Sequence, residues 1–273
     1  MKSSTALRAL FATAAVSFAL VSPARAAAPV KTIESGHLTY GVAATFAPFE
    51  FTENGTLTGF DIDLINAVAK QMQLAPAPQN MQFSGLIPAL QGGRIDIINS
   101  AMYITPARSG QVDFVPYMRL GDRIIVQASN PAKITGRDDS ICGKNIAVTL
   151  GGIEETYARA DVQRCVAAGK PAPNVMTLPT AQNSVLSLNQ GRADAIYNST
   201  PGTVKLLAEV PNTYLAVGPE FEQTTTIGFA VPKGSAGMAA ALKDALAKVV
   251  ADGTYKQLID KWKLPQSVSI FNN

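Results

Sequence analysis

Two stretches of this chain repeat each other. Ala89-Leu90-Gln91-Gly92-Gly93-Arg94-Ile95-Asp96-Ile97-Ile98 aligns with Ser187-Leu188-Asn189-Gln190-Gly191-Arg192-Ala193-Asp194-Ala195-Ile196, and Asp96 and Asp194, like the glycine and arginine before them, stand 98 residues apart. In each copy a glycine ends a helix, a polar turn follows and a strand begins. A helix-to-strand turn repeated across most of a lobe favours two similar α/β lobes over one large sheet.

The segments around the first copy alternate in type. Residues 38–43 read as a strand, 50–59 as a hairpin turning at Asn54-Gly55, and 61–73 as an amphipathic helix with Ile62, Leu64, Ile65, Val68, Ala69 and Met72 on its buried side. Asp61 or Asp63 is expected to cap that helix. A short helix over 85–91 stops at Gly92-Gly93, and 94–99 returns as a strand. Such alternation predicts βαβ units and a mostly parallel sheet. Residues 123–128 and 225–231 also read as strands, which carry the chain into a second lobe and back and form a two-strand hinge beside a cleft. The first lobe is then discontinuous, 27–126 plus 224–273, and ends with a helix over 238–252 and the segment 254–262. The second lobe covers 127–223.

At the start of the chain, Lys2 and Arg8 precede an apolar stretch over 9–21 that is short for a bilayer crossing, and Ala24-Arg25-Ala26 offers small residues at both recognition positions. This pattern predicts an export signal, residues 1–26, cleaved after Ala26, and a soluble mature protein outside the cytoplasm. The alternative is a retained membrane anchor; no cysteine lies near the cut to carry a lipid. Three of the 23 Lys and Arg residues belong to this segment, leaving 20 to balance 20 Asp and Glu. A balanced body without a basic run gives no electrostatic reason to expect nucleic acid or an anionic membrane as partner. Export also gives meaning to Cys142 and Cys165, the only two cysteines. An oxidising compartment favours a single bridge, closing a loop of roughly 20 residues and contributing about 3 kcal/mol.

The catalytic motifs His-Glu-x-x-His, Gly-x-Ser-x-Gly and Gly-x-Gly-x-x-Gly do not occur in this sequence. The one histidine, His37, reads as an exposed loop residue, so neither a metal site nor a bound cofactor is expected. Asp61 and Asp63 point to different helix faces and do not form an acid/base pair. Polar and aromatic residues concentrate instead where strands end, which is where open α/β sheets present ligands. One such stretch runs from Asn99 through Ser100, Tyr103 and Thr105 to Arg108; the other is Tyr197-Asn198-Ser199-Thr200-Pro201. In both, Thr-Pro marks a helix start with free backbone N–H groups. Arg108 lies in the first turn, where its planar fork suits a carboxylate; the plain alternatives are a surface salt bridge for Arg108 and simple capping for Thr105 and Thr200. Phe46 follows the first strand and Phe83 precedes the short helix, so that one ring of the 46–51 stretch faces the cleft with Phe83 opposite. Core packing is the usual fate of such rings.

Taken together, Ala47-Pro48-Phe49-Glu50, Gly59-Phe60-Asp61-Ile62-Asp63-Leu64, Leu86-Ile87-Pro88-Ala89-Leu90, Ile104-Thr105-Pro106-Ala107-Arg108, Gly143-Lys144, Gly191-Arg192-Ala193-Asp194-Ala195 and Lys261-Trp262 resemble, in order and spacing, the bacterial extracellular solute-binding proteins of family 3. These are periplasmic receptors for polar amino acids in ABC transporters, and the likeness covers nearly all of the mature chain. The resemblance implies a type II periplasmic-binding fold with two lobes that close on one small ligand, an amino acid or related carboxylate, and dock on a permease in the inner membrane. It implies that Arg108 grips the ligand's α-carboxylate, that Phe46 and Phe83 sandwich its side chain, and that groups from Ser100 to Thr105 assist. The two cysteines resemble a disulfide found in many members. A monomer is the simplest state for such a shuttle.

The chain departs from the family pattern at the ligand. Gly151-Gly152-Ile153 stands where a Thr or Ser commonly binds the carboxylate from the second lobe. Asn198-Ser199-Thr200 stands where an Asp commonly meets the α-ammonium, and Tyr103 replaces a small hydroxyl residue. Either Glu154, Glu155 or another acid takes up the ammonium, or the ligand lacks one. A second hypothesis is an enzyme, because the fold resembles secreted cyclohexadienyl dehydratases; Glu154 and Glu155 would then be the acids, against a solvated helix start as their simpler role.

Overall fold

A computed structural model describes residues 30–271; the export signal and its cleavage site lie outside the described residues. In chain order the elements are β1 (His37–Val42), β2 (Thr45–Phe46), β3 (Glu50–Glu53), β4 (Thr56–Thr58), α1 (Phe60–Gln71), β5 (Ala75–Asn80), α2 (Leu86–Gln91), β6 (Ile97–Ile98), α3 (Pro106–Ser109) and β7 (Val112–Gln127). They continue with β8 (Asn145–Thr149), α4 (Ile153–Ala167), β9 (Asn174–Leu178), α5 (Ala181–Asn189), β10 (Ala195–Ser199), α6 (Thr200–Glu209), β11 (Tyr214–Pro232), α7 (Ala236–Ala251) and α8 (Thr254–Lys261).

The repeat seen in the sequence is a repeat of topology. The run β1-α1-β5-α2-β6 gives the parallel order β5-β1-β6, and β8-α4-β9-α5-β10 gives β9-β8-β10. The repeated aspartates do the same work in each. Asp96 accepts from Thr39 N at 2.8 Å while its own N–H donates to Thr39 O; Asp194 accepts from Asn145 N at 2.7 Å and donates back to Asn145 O. Each carboxylate thus clamps the start of the neighbouring parallel strand, a role beyond that of a polar turn. Around the first copy the regular strand is shorter than the expected 94–99, because only Ile97–Ile98 pairs as a ladder, while Asp96 holds one end by its two bonds to Thr39 and Asn99 the other by one bond to Gly41.

Between the repeats lie β7 and β11, one long antiparallel pair. Its registers Leu120↔Thr225 and Asp122↔Phe221 are separated by a shift, another follows before Val217↔Ile124, and the pair joins both sets of parallel strands into one eight-stranded sheet. These strands run well beyond the segments expected at 123–128 and 225–231. Alternation breaks at Gly121-Asp122-Arg123 and Gly218–Gln223, which hid their length.

The hairpin turns at Asn54-Gly55, both at positive φ (49° and 78°), as a two-residue loop requires. Helix α1 begins differently from expectation: its N-cap is Gly59, without a side-chain cap. At φ +134° a Cβ there would sit 1.9 Å from Phe49 O, so only glycine lets the hairpin lie against the helix start. Neither aspartate caps. Asp63 accepts from Lys261 Nζ and Trp262 Nε1, both at 2.7 Å, and ties α1 to the end of α8. Asp61 is fully buried and accepts from Tyr117 Oη at 2.5 Å and Ala101 N at 2.8 Å. Helices α7 and α8 return to pack on α1, and Tyr255 on α8 donates to Tyr117 O while its ring meets Phe60 edge-on.

Cys142 and Cys165 form the expected disulfide, tying the segment before β8 to the last turn of α4 across 23 residues. The Cys142→Ser/Cys165→Ser protein should unfold about 3 kcal/mol more easily than the oxidised parent in urea at equal m. Asp61 yields a second expectation. Burial pushes its carboxyl up to about 6, against the opposing bonds from Tyr117 and Ala101. Because the native value exceeds the unfolded one near 3.8, this contribution to stability is full below 3.8 and is lost as pH rises through about 6. The loss amounts to about 3 kcal/mol. Thermal melts should show Tm falling over about pH 4 to 7, with Asp61→Asn flattening part of the fall; parallel curves for the two proteins would exclude Asp61 as the source.

Candidate functional site in the interlobe cleft

The C-terminal ends of β1 and β6 in the first lobe face those of β8 and β10 in the second, and a cavity of about 510 Å³ opens between them. Such a volume suits a small molecule. Its first-lobe wall is held from behind by buried carboxylates. Asp61 fixes Ala101, whose φ of +40° turns the chain after β6, and Asn99 Nδ2 donates to Asp61 O. Ser100 Oγ accepts from Ala43 N at 3.0 Å and donates to Glu50 Oε1 at 2.9 Å. The loop that presents Ser100, Ala101 and Tyr103 to the cavity is therefore pinned at successive residues. Burial, and then the charge of Asp61, hold the Glu50 carboxyl well above the usual range; its Oε2 is buried without a partner.

Of the residues singled out in the sequence, Phe46, Phe83, Ser100, Tyr103, Gly152 and Ile153 line the cavity. Phe46 stacks on Phe49, with centroids 5.5 Å apart, and stays partly open to the cavity. Tyr103 is buried, and its hydroxyl points to Asp122 Oδ1 at 3.5 Å. Thr105, Arg108 and Ser199 do not line the cavity. Thr105 Oγ1 caps the short helix α3 by accepting from Arg108 N, and Ser199 Oγ caps α6 by accepting from Gly202 N. The Arg108 guanidinium lies 5.4 Å from the Phe83 ring centroid and donates to Tyr103 O at 2.7 Å and Gly151 O at 2.8 Å. These carbonyls belong to opposite lobes, so Arg108 bridges the cleft.

The second-lobe wall turns from β8 into α4 at Gly151-Gly152. Glu155 is committed to this turn, accepting from Gly151 N at 2.8 Å and pairing with Arg159. Glu154 instead lines the cavity and is 7% exposed. Burial raises its pKa, and Arg108 opposes the rise. The neighbouring Asp122 is likewise pushed up, first by burial and then by the charge of Glu154. Tyr197 and Asn198, from the second strand-end stretch, also line the cavity, whereas Asp122 and the structural use of Asp61 were not found from the sequence. An acid and a base inside the apolar run Leu120-Gly121-Asp122-Arg123-Ile124 were the available signal for Asp122. The cavity also runs between α5 and α6, where Val185, Ile196 and Leu206 give apolar surface beside Gln182, Asn189 and Lys205. No cluster of His, Cys, Asp and Glu suited to a metal occurs among the described residues.

The model of the bacterial extracellular solute-binding proteins, family 3, matches residues 38–265. The ABC transporter arginine-binding protein 1 of Escherichia coli strain K12 is 32% identical over 231 residues, 82% of this chain and 90% of that protein. An ancestral arginine-binding protein solved with bound arginine superposes with a TM-score of 0.77 at 35% identity, covering 83% of this chain and 98% of that one. An ancestral amino acid-binding protein that is a precursor of cyclohexadienyl dehydratase gives 0.72 at 32% identity, over 83% and 95%. All three carry the name of binding proteins, which favours the binding reading over the enzyme. With the two repeated lobes, the long pair between them and a cavity lined from both sides, the chain belongs to the bacterial extracellular solute-binding proteins, family 3, the substrate-binding components of ABC importers.

Proposed function

We propose that this protein captures an amino acid or a related small carboxylate in the interlobe cleft and delivers it in the periplasm, as a monomer, to an inner-membrane permease. The observation that carries this reading is a cavity lined by residues of both lobes and flanked by an arginine that reaches from one lobe to the other. Closing the lobes buries the ligand, and the β7–β11 pair supplies the hinge. The lobes divide as 27–126 with 224–273, and 127–223; the register shifts near Asp122 and Phe221 lie beside these limits. The signal is removed after Ala26.

Within the cleft, Phe46 and Phe83 flank the ligand's side chain, while Ser100, Tyr103, Gly152 and Ile153 shape the space around its polar end. The ligand's carboxylate takes the Arg108 fork from the two carbonyls that now hold it. A charged acceptor binds a guanidinium more strongly than a neutral carbonyl, so the exchange is favourable. Thr105 and Ser199 serve by fixing the helix starts on which Arg108 and Asn198 depend.

Mature, ligand-stripped protein should be stabilised by about 2.7 kcal/mol when its ligand stands at 100 times the dissociation constant. Arg108→Ala should weaken that ligand by about 100-fold or more, as expected for losing two charge-assisted bonds. Calorimetric titration checks both. Equal affinity in the variant, or consumption of the ligand, would contradict the reading.

A further inference from the structure

An amino acid brings an ammonium into this cleft, and the residue at position 199 does not meet it. Ser199 is fully buried, and its hydroxyl already caps α6. An ammonium taken out of water needs a carboxylate partner. Glu155 is engaged by Gly151 N and Arg159, and Glu209 is exposed and pairs with Lys205. Glu50 faces Asp61 across the first-lobe wall, where burial and that neighbour favour its protonated form. Asp122 lies behind the Tyr103 hydroxyl, away from the cavity lining.

Glu154 remains. It stands on the cavity wall in the first turn of α4, where the helix dipole favours negative charge. The turn beneath it is shaped for this carboxylate: a Cβ on Gly152 would sit 2.5 Å from Glu154 Oε2 and 3.1 Å from Thr149 O. The absence of a side chain at 152 and the acid at 154 thus form one arrangement. The charges around it leave a deficit of cations. Glu154 faces Arg108, Asp122, Tyr103 and Tyr157. Both terminal nitrogens of Arg108 are bound to carbonyls, and Arg137, the cation on the far side of Asp122, is paired with Asp161 at 2.9 Å. Asp122 Oδ2 and Glu50 Oε2 are both buried without a partner, the first behind this wall and the second on a residue that lines the cavity.

We propose that Glu154 accepts the ammonium of the ligand in place of an acid at position 199, so that Gly152 and Glu154 together reserve the cleft for amine-bearing ligands. This rests on the amino-acid reading above. Stripped protein is first screened by thermal shift against the twenty standard amino acids, L-ornithine and L-cystine. The strongest binder and its desamino analogue, with hydrogen in place of the α-ammonium, are then titrated calorimetrically. Wild type should bind the desamino analogue at least about 30-fold more weakly. Glu154→Gln, which keeps the side-chain volume, should reduce that preference to about threefold or less. An undiminished preference in Glu154→Gln, equal binding of both ligands by wild type, or equal loss of both in Glu154→Gln overturns the proposal while leaving the carboxylate reading in place. No response to any amino acid overturns the proposal and narrows the reading above to a related small carboxylate without an ammonium.

Discussion

A carboxylate removed from water must be met by donors or by a cation, and the order of this molecule follows from how its buried acids meet that demand. Asp96 and Asp194 meet it with the backbone N–H groups of the adjoining strands, and in doing so start the parallel pairing of each lobe at the same place. Asp61 meets it at one oxygen, with Ala101 N and the Tyr117 hydroxyl, and so carries the loop after β6 into the cleft, while its Oδ1 is buried without a partner. Glu50 is half met, by Ser100. Glu154 and Asp122, at the second-lobe wall, are met least. The gradient runs from architecture to site: Asp96 and Asp194 are spent on strand pairing, while Asp61, Glu50 and Asp122, on or behind the cleft walls, each keep one oxygen buried without a partner.

This gradient also explains what could be read from the sequence. The helix stop and strand start of the repeat, and the Asn54-Gly55 turn, are local signals, set by residues a few positions apart. The ring positions Phe46 and Phe83 and the loop residues Ser100 and Tyr103 were legible because ligand sites gather at strand ends. Asp61 was not, because its donors lie 40 and 56 residues further on, and an acid at a helix start looks the same whether it caps or is buried. Thr105 takes the capping role that the sequence offered as its plainer alternative, and Ser199 takes a capping role that the sequence placed one residue later, on Thr200. A hydroxyl beside a ligand loop suggests a ligand contact, yet each is turned to its own helix start, where a free N–H lies within three residues. The length of β7 and β11 was hidden because strands that change register lose the alternation by which strands are recognised.

Arg108 shows how recognition and closure are joined. Its guanidinium is held by one carbonyl from each lobe, an arrangement that draws the lobes together without a ligand. On the proposed reading a ligand carboxylate competes with both carbonyls for the same planar fork, and its entry replaces two neutral acceptors by one charged acceptor that both lobes can surround. The Phe83 ring against the guanidinium keeps the fork in plane and limits its retreat to water.

The second-lobe turn shows why a change at one ligand contact need not abolish the site. A hydroxyl residue at 152 would bring a Cβ into the space that Glu154 Oε2 occupies, so a side chain at 152 and the present position of Glu154 exclude each other. On the proposed reading the room left at 152 serves the acid at 154, and that acid takes the part of one at 199. Ser199 is then free to act only as the cap of α6, the role in which the structure holds it. On that reading the three positions, drawn from two elements, share one balance of charge in the cleft, although 45 residues of chain separate Glu154 from Ser199.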